Sequence, residues 1–153
     1  MLRDEIRTQL NTAMRAKDAR TTSTLRLIIA ALKDRDIAAR GDGDDSGIGD
    51  DEILKMLQTM VRQRRDSIEL YEKGGRLELA EREAEEIAII ERFLPEQLDD
   101  AATQAAVAAT VADLGAAGLK DMGKVMAALR ERFAGQMDFG KASAIVKQQL
   151  AGA

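Results

Sequence analysis

The 153-residue sequence has no cysteine, no histidine and no tryptophan, one proline, one tyrosine and three phenylalanines. Without cysteine there is no disulfide, no thiolate nucleophile and no sulfur ligand for zinc. Without histidine the commonest general base and metal ligand is missing. A glycine-rich phosphate loop, a nucleophile elbow and a dinucleotide fingerprint are also absent, and no serine or threonine has a histidine to activate it. The expectation is therefore a protein without catalytic residues, metal site or cofactor, one that binds rather than transforms. So few aromatics leave almost no platform on which bases could stack. The longest strongly apolar run, Leu27 to Leu32, is too short to span a bilayer, and Met1-Leu2-Arg3-Asp4-Glu5 opens an amphipathic stretch rather than an apolar leader. A cytoplasmic protein without membrane association is expected. The net charge of −4 means that any affinity for nucleic acid must come from a local patch.

What is abundant are helix formers: Ala, Leu, Arg, Glu, Gln and Met dominate, and only Pro95 interrupts them. An all-α fold follows, its core built from aliphatic residues and methionine. A length near 150 can bury about 70% of its unfolded surface, enough for one domain or two small ones.

Apolar spacing of three and four places the helices. Leu2, Ile6, Leu10, Ala13 and Met14 form one face of a helix reaching about Lys17. Leu25, Ile28, Ile29 and Leu32 stripe a second, from about Thr21 to Arg40, with Arg26 and Lys33 off the stripe. The Gly/Asp-rich segment 41–49 reads as a loop. Its alternating aspartates resemble a calcium loop, but the position that requires glutamate, twelfth from Asp42, is Ile53. Asp50 or Asp51 is placed to cap a third helix, striped by Ile53, Leu57, Met60, Val61, Ile68 and Tyr71 and stopped by Gly74-Gly75. A fourth runs from about Arg76 to Phe93, and Pro95 marks a boundary. Beyond it, helices over about 100–114, 122–133 and 139–150 suggest a compact three-helix unit. The organisation expected is an N-terminal helical hairpin domain, 1–94, followed by a three-helix domain, 95–153.

Four features bear on function. Asp121-Met122-Gly123-Lys124 is echoed seventeen residues later by Asp138-Phe139-Gly140-Lys141, each opening a helix. Either the aspartate caps the helix and the glycine permits a close crossing, or two bare helix starts receive a phosphate backbone. Arg62 and Arg65 stand four residues before Asp66 and Glu69, as in a solvated ion-pair face. Arg64 falls inside the apolar stripe of its helix, where it either meets an acid from another helix or lines a groove for an anion. The fourth helix carries Glu78, Glu81, Glu83, Glu85, Glu86 and Glu91 with no histidine beside them, as on a solvated acidic face.

Taken in order, Thr24-Leu25-Arg26-Leu27-Ile28, Arg62-Gln63-Arg64-Arg65-Asp66-Ser67-Ile68, Gly75-Arg76-Leu77, Phe93-Leu94-Pro95-Glu96-Gln97-Leu98, Met122-Gly123-Lys124-Val125-Met126 and Ile145-Val146-Lys147-Gln148-Gln149-Leu150 resemble the YqeY-like proteins over nearly the whole chain. The C-terminal part of that family is similar to the tail domain of the B subunit of glutamine-dependent aminoacyl-tRNA amidotransferase, a helical module that grips tRNA away from the chemistry. One departure is the segment Phe133-Ala134-Gly135-Gln136-Met137-Asp138, where the tail is usually more basic.

The resemblance implies a stand-alone, non-catalytic tRNA-binding or tRNA-metabolism accessory protein. A carbon–nitrogen ligase label would describe a relative's assembly. Lys120, Lys124 and Lys141 with Gly123 and Gly140 are the residues expected to meet the phosphate backbone, and Arg26, Lys33 and Arg64 to extend the surface. The expected partners are tRNA or a tRNA-processing or aminoacylation-related protein. The alternative is a protein-interaction adaptor in which Met56, Met60, Met122 and Met126 accept a partner helix.

Overall fold

Leu2, Ile6, Leu10 and Ala13 recur at helical spacing, and they form the inner face of α1 (Leu2–Arg15). Its end comes two residues before the expected Lys17. There Lys17 takes the left-handed conformation (φ 57°), and the Asp18 N–H donates to the Ala13 carbonyl. Asp18 then caps α2 (Ala19–Gly41), its carboxylate accepting from the Thr21 N–H at 3.1 Å and the Thr21 hydroxyl at 2.7 Å. These two bonds hold the Asp18 carboxyl below its usual range. In a computed structural model describing residues 1–152, α3 (Asp50–Lys73), α4 (Leu77–Glu91), α5 (Asp100–Leu114), a 3₁₀ turn (Leu119–Asp121), α6 (Met122–Arg132) and α7 (Phe139–Ala151) complete an all-α chain.

Two compact units result, Met1–Pro95 and Glu96–Ala153. In the first, α1 with α2 and α3 with α4 form two αα-hairpins around one core. Ile6, Leu25, Ile28, Ile53, Met56, Leu57 and Ile90 are fully buried there. The unit thus packs its four helices as two hairpins. Ile68 and Tyr71, at the far end of the α3 stripe, are only half-buried, and Leu70 and Leu77 at the tip of this hairpin are exposed.

Segment 42–49 is a loop fastened by charge. Arg3 reaches Asp36 with two bonds of 2.7 and 3.0 Å and the Ile48 carbonyl at 3.1 Å, while the Ile48 N–H donates to Asp36 at 2.9 Å. The Arg3 guanidinium holds the Asp36 carboxyl down at about 2. Gly47 sits in this clamp with φ +85°, and a Cβ there would lie 2.8 Å from the Arg3 guanidinium. Neither Asp50 nor Asp51 caps α3. Gly49 occupies that position, and Asp50 instead accepts from the Leu2 N–H at 3.3 Å, because the start of α1 lies close enough to compete for it.

In the second unit, α5, α6 and α7 close over Val107, Val125, Leu129, Met137, Val146 and Leu150. The two buried threonines, Thr103 and Thr110, satisfy their hydroxyls on the carbonyls four residues back at 2.8 and 2.9 Å. Leu98 and Gln97 bind the carbonyls of Gln136 and Gly135, tying the start of the unit to the loop before α7.

Candidate nucleic-acid interface

The two echoed helix starts are built differently. At α7, Asp138 is a true cap, its carboxylate accepting from the N–H groups of Gly140 at 3.0 Å and Lys141 at 3.2 Å. The anion position is filled by the protein's own aspartate. The Lys141 ammonium lies 3.6 Å from Asp100. At α6 no side chain caps the helix. Asp121 turns back to accept from the Ala117 N–H at 2.9 Å, and the Met122 N–H is used by the Leu119 carbonyl of the preceding 3₁₀ turn. So this start runs on from the 3₁₀ turn instead of opening a bare ring of donors.

What does stand open at α6 is its pair of cations. Lys120 and Lys124 are exposed, four residues apart and in no ion pair among the described residues, with exposed Gly123 between them. A Cβ on Gly123 would meet nothing within 4 Å, so no helix crossing requires this glycine. Gly123→Ala should accordingly raise the stability of the chain by roughly 0.5–1 kcal/mol, since alanine restricts the unfolded chain more. A thermal melt checks this, and a loss of stability would mean that the glycine has a structural role after all. Gly140 differs, since a Cβ there would sit 3.2 Å from the capping Asp138 oxygen.

Arg64 is structural. Its Nε meets Glu86 at 2.7 Å and its Nη1 donates to the Met60 carbonyl at 3.1 Å, with the arginine side chain 14% exposed. The neighbouring charges follow the same interhelical pattern: Arg65 reaches Glu91 at 3.1 Å instead of Glu69, which pairs with Lys73, and Arg20 pairs with Glu85. Glu85, Glu86 and Glu91 are thus a partner face for α2 and α3, because packing α4 against both brings their cations within reach, while Glu78 and Glu81 lie on the exposed side as expected. Glu83, partly desolvated by burial and beside Glu86, has its carboxyl raised. The methionines of the adaptor alternative are also unavailable, with Met56, Met60 and Met126 buried and Met122 half-buried against the core. They fill interior space between helices.

Arg26 and Lys33 are exposed on α2, seven residues apart, and in no ion pair among the described residues. Residues missed by the sequence reading join them, notably Arg40, a further seven residues on, and the exposed Leu27 and Ile37. The missed signal was charge distribution: residues 1–41 carry nine Lys/Arg and five Asp/Glu, net +4, whereas 42–95 carry eight and fifteen, net −7. Residues 96–153 carry six and seven. Among the described residues no group of three or more Asp and Glu is placed to hold a metal ion, and no helix is long and apolar enough to cross a membrane.

An all-α protein of two helical units, in which Arg20, Arg64 and Arg65 are paired with glutamates of α4 while exposed cations stand on α2 and around the start of α6, is the class so defined. The family model described as Yqey-like protein matches residues 3–150, and the chain belongs to that family. It is similar to "Altered inheritance of mitochondria protein 41, mitochondrial" of Lachancea thermotolerans, with 36% identity over 90 residues, 58% of this chain and 46% of the relative. The proteins of the same name in Kluyveromyces lactis and Clavispora lusitaniae are each 31% identical, over 88 and 93 residues, covering 58% and 61% of this chain and 45% and 51% of theirs. The chain spans about half the length of the curated relatives it matches. These relatives are named as mitochondrial, which overturns the cytoplasmic expectation. An apolar leader bears only on secretion, and composition does not separate the cytosol from an organelle interior.

Proposed function

We propose that the chain is a non-catalytic tRNA-associated accessory protein whose C-terminal unit touches the phosphate backbone through Lys120 and Lys124. The observation that carries this reading is the pair of exposed, unpaired lysines flanking Gly123 at the start of α6. A bare glycine lets a sugar-phosphate chain approach the helix surface, and a lysine on either side supplies the point charges that it needs. The similarity of this unit to the amidotransferase tail supports tRNA as the polymer, and the missing histidine and cysteine support a binding role. Lys141 and Arg64 are left out, since each has an acidic partner within the protein. The printed names of the yeast relatives point this reading towards mitochondria.

Filter retention of total tRNA across a salt series tests it. Lys120→Glu with Lys124→Glu is expected to lower affinity at least about tenfold and to flatten the log–log salt dependence by roughly 1.5 to 2, the share of two phosphate contacts. Gly123→Ala should weaken retention while stabilising the fold. No retention at low salt, or equal retention by the charge-reversed variant, would sink the proposal.

A further inference from the structure

We infer that the outward face of α2 is a docking seam for an acidic amphipathic helix of a partner protein. This inference does not rest on the tRNA reading. Helix α2 has apolar residues on both sides. Leu25, Ile28 and Leu32 enter the core, while Leu27 and Ile37, on the other side, are 45% and 60% exposed. Leu27, Ala30, Asp34 and Ile37 follow one another at spacings of three, four and three, all exposed, which is the spacing of a helix-to-helix seam. Arg26, Lys33 and Arg40 flank that seam at intervals of seven, where a two-helix contact carries the charges that select its partner. None of the three is in an ion pair among the described residues, whereas the arginines of α3 that face α4 are paired.

The chemistry of the occupant follows. An apolar stripe matches Leu27, Ala30 and Ile37, and acidic residues at heptad spacing answer the three cations over about 21 Å of helix. Asp34 decides between classes of partner. It stands in the middle of the seam, where a phosphate backbone or an anionic bilayer would be repelled and a helix carrying one basic residue at that layer would be selected. Exposed Leu27 and Ile37 likewise add nothing to a phosphate contact.

The probe is a synthetic three-heptad helix with leucine at the seam positions, glutamate at the flanking ones and one arginine at the central layer. Its binding to the full chain is followed by fluorescence anisotropy. Saturable binding is expected, weakened at least about tenfold by Lys33→Glu with Arg40→Glu, and partly restored when the peptide's glutamates become lysines. Circular dichroism of the variant establishes that it is folded, as these exposed positions require. Lys120→Glu with Lys124→Glu leaves peptide binding unchanged, so failure here and failure of the tRNA reading are separate results. Absence of saturable binding, or equal binding of the acidic and basic peptides, overturns the inference. So does a dimer by light scattering that the double variant abolishes, which would make the occupant a second copy, or co-sedimentation with phosphatidylglycerol vesicles without peptide binding.

Discussion

Leu129→Ala is expected to cost about 3–4 kcal/mol and to remove a large share of the stability of the C-terminal unit. Leu129 is fully buried between α5, α6 and α7, and removing a large aliphatic side chain from such a site loses both transfer free energy and the packing around the cavity left behind. A unit of 58 residues has only roughly 3–9 kcal/mol to lose at typical stabilities per residue. The two units have separate buried clusters, so amide protection should fall across 96–152 and persist in the Ile28, Leu57 and Ile90 core. Urea unfolding combined with hydrogen exchange measures both. A loss below about 1 kcal/mol, or protection lost equally throughout the chain, would contradict the two-core description.

Acid should dismantle the clamp between α1, α2 and the loop before α3. The Asp36 carboxyl titrates at about 2 in the fold, against 3.8 ordinarily, so its stabilisation is fully present above about pH 4 and is lost as pH falls through 2. The shift corresponds to about 2 kcal/mol, with the carboxylate side chain 15% exposed and bonded to Arg3 and the Ile48 N–H. Asp36→Asn should therefore cost about 2 kcal/mol near neutrality and almost nothing near pH 2, the two stability curves converging in between. Denaturant midpoints at pH 6, 4 and 2.5 would decide it. A constant gap would show that the aspartate contributes through shape and not through its charge.

Helix positions were legible because each helix buries one stripe at intervals of three and four, and that periodicity is local. The start of α5 at Asp100 and its end at Leu114 could be read from the Asp99-Asp100 pair and Gly115, which takes φ 61° as a left-handed helix stop requires. Ion-pair partners were not legible in the same way. Arg65 has Glu69 within one turn, yet pairs with Glu91, twenty-six residues away, since α4 lies against α3 and offers a carboxylate there. The Asp36 clamp has no sequence signature at all, its partners lying thirty-three and twelve residues away.

The candidate site divides along the same line. Lys120, Gly123 and Lys124 could be picked out from the motif, but the motif's second copy is chemically closed by its own cap, and only hydrogen-bond geometry reveals the difference. Arg26 and Lys33 were visible as cations off the core stripe. Their alignment with Arg40 around an exposed apolar seam needed knowledge of which α2 residues the other helices cover.

By itself the sequence determined the helical class, the order and approximate positions of the helices, the exclusion of cysteine and histidine chemistry, and the family. All of these follow from composition, short-range periodicity and ordered motifs. The tertiary structure alone decided which charges are spent on one another and which remain free for a partner, because side chains distant in sequence compete for the same acids once the helices pack.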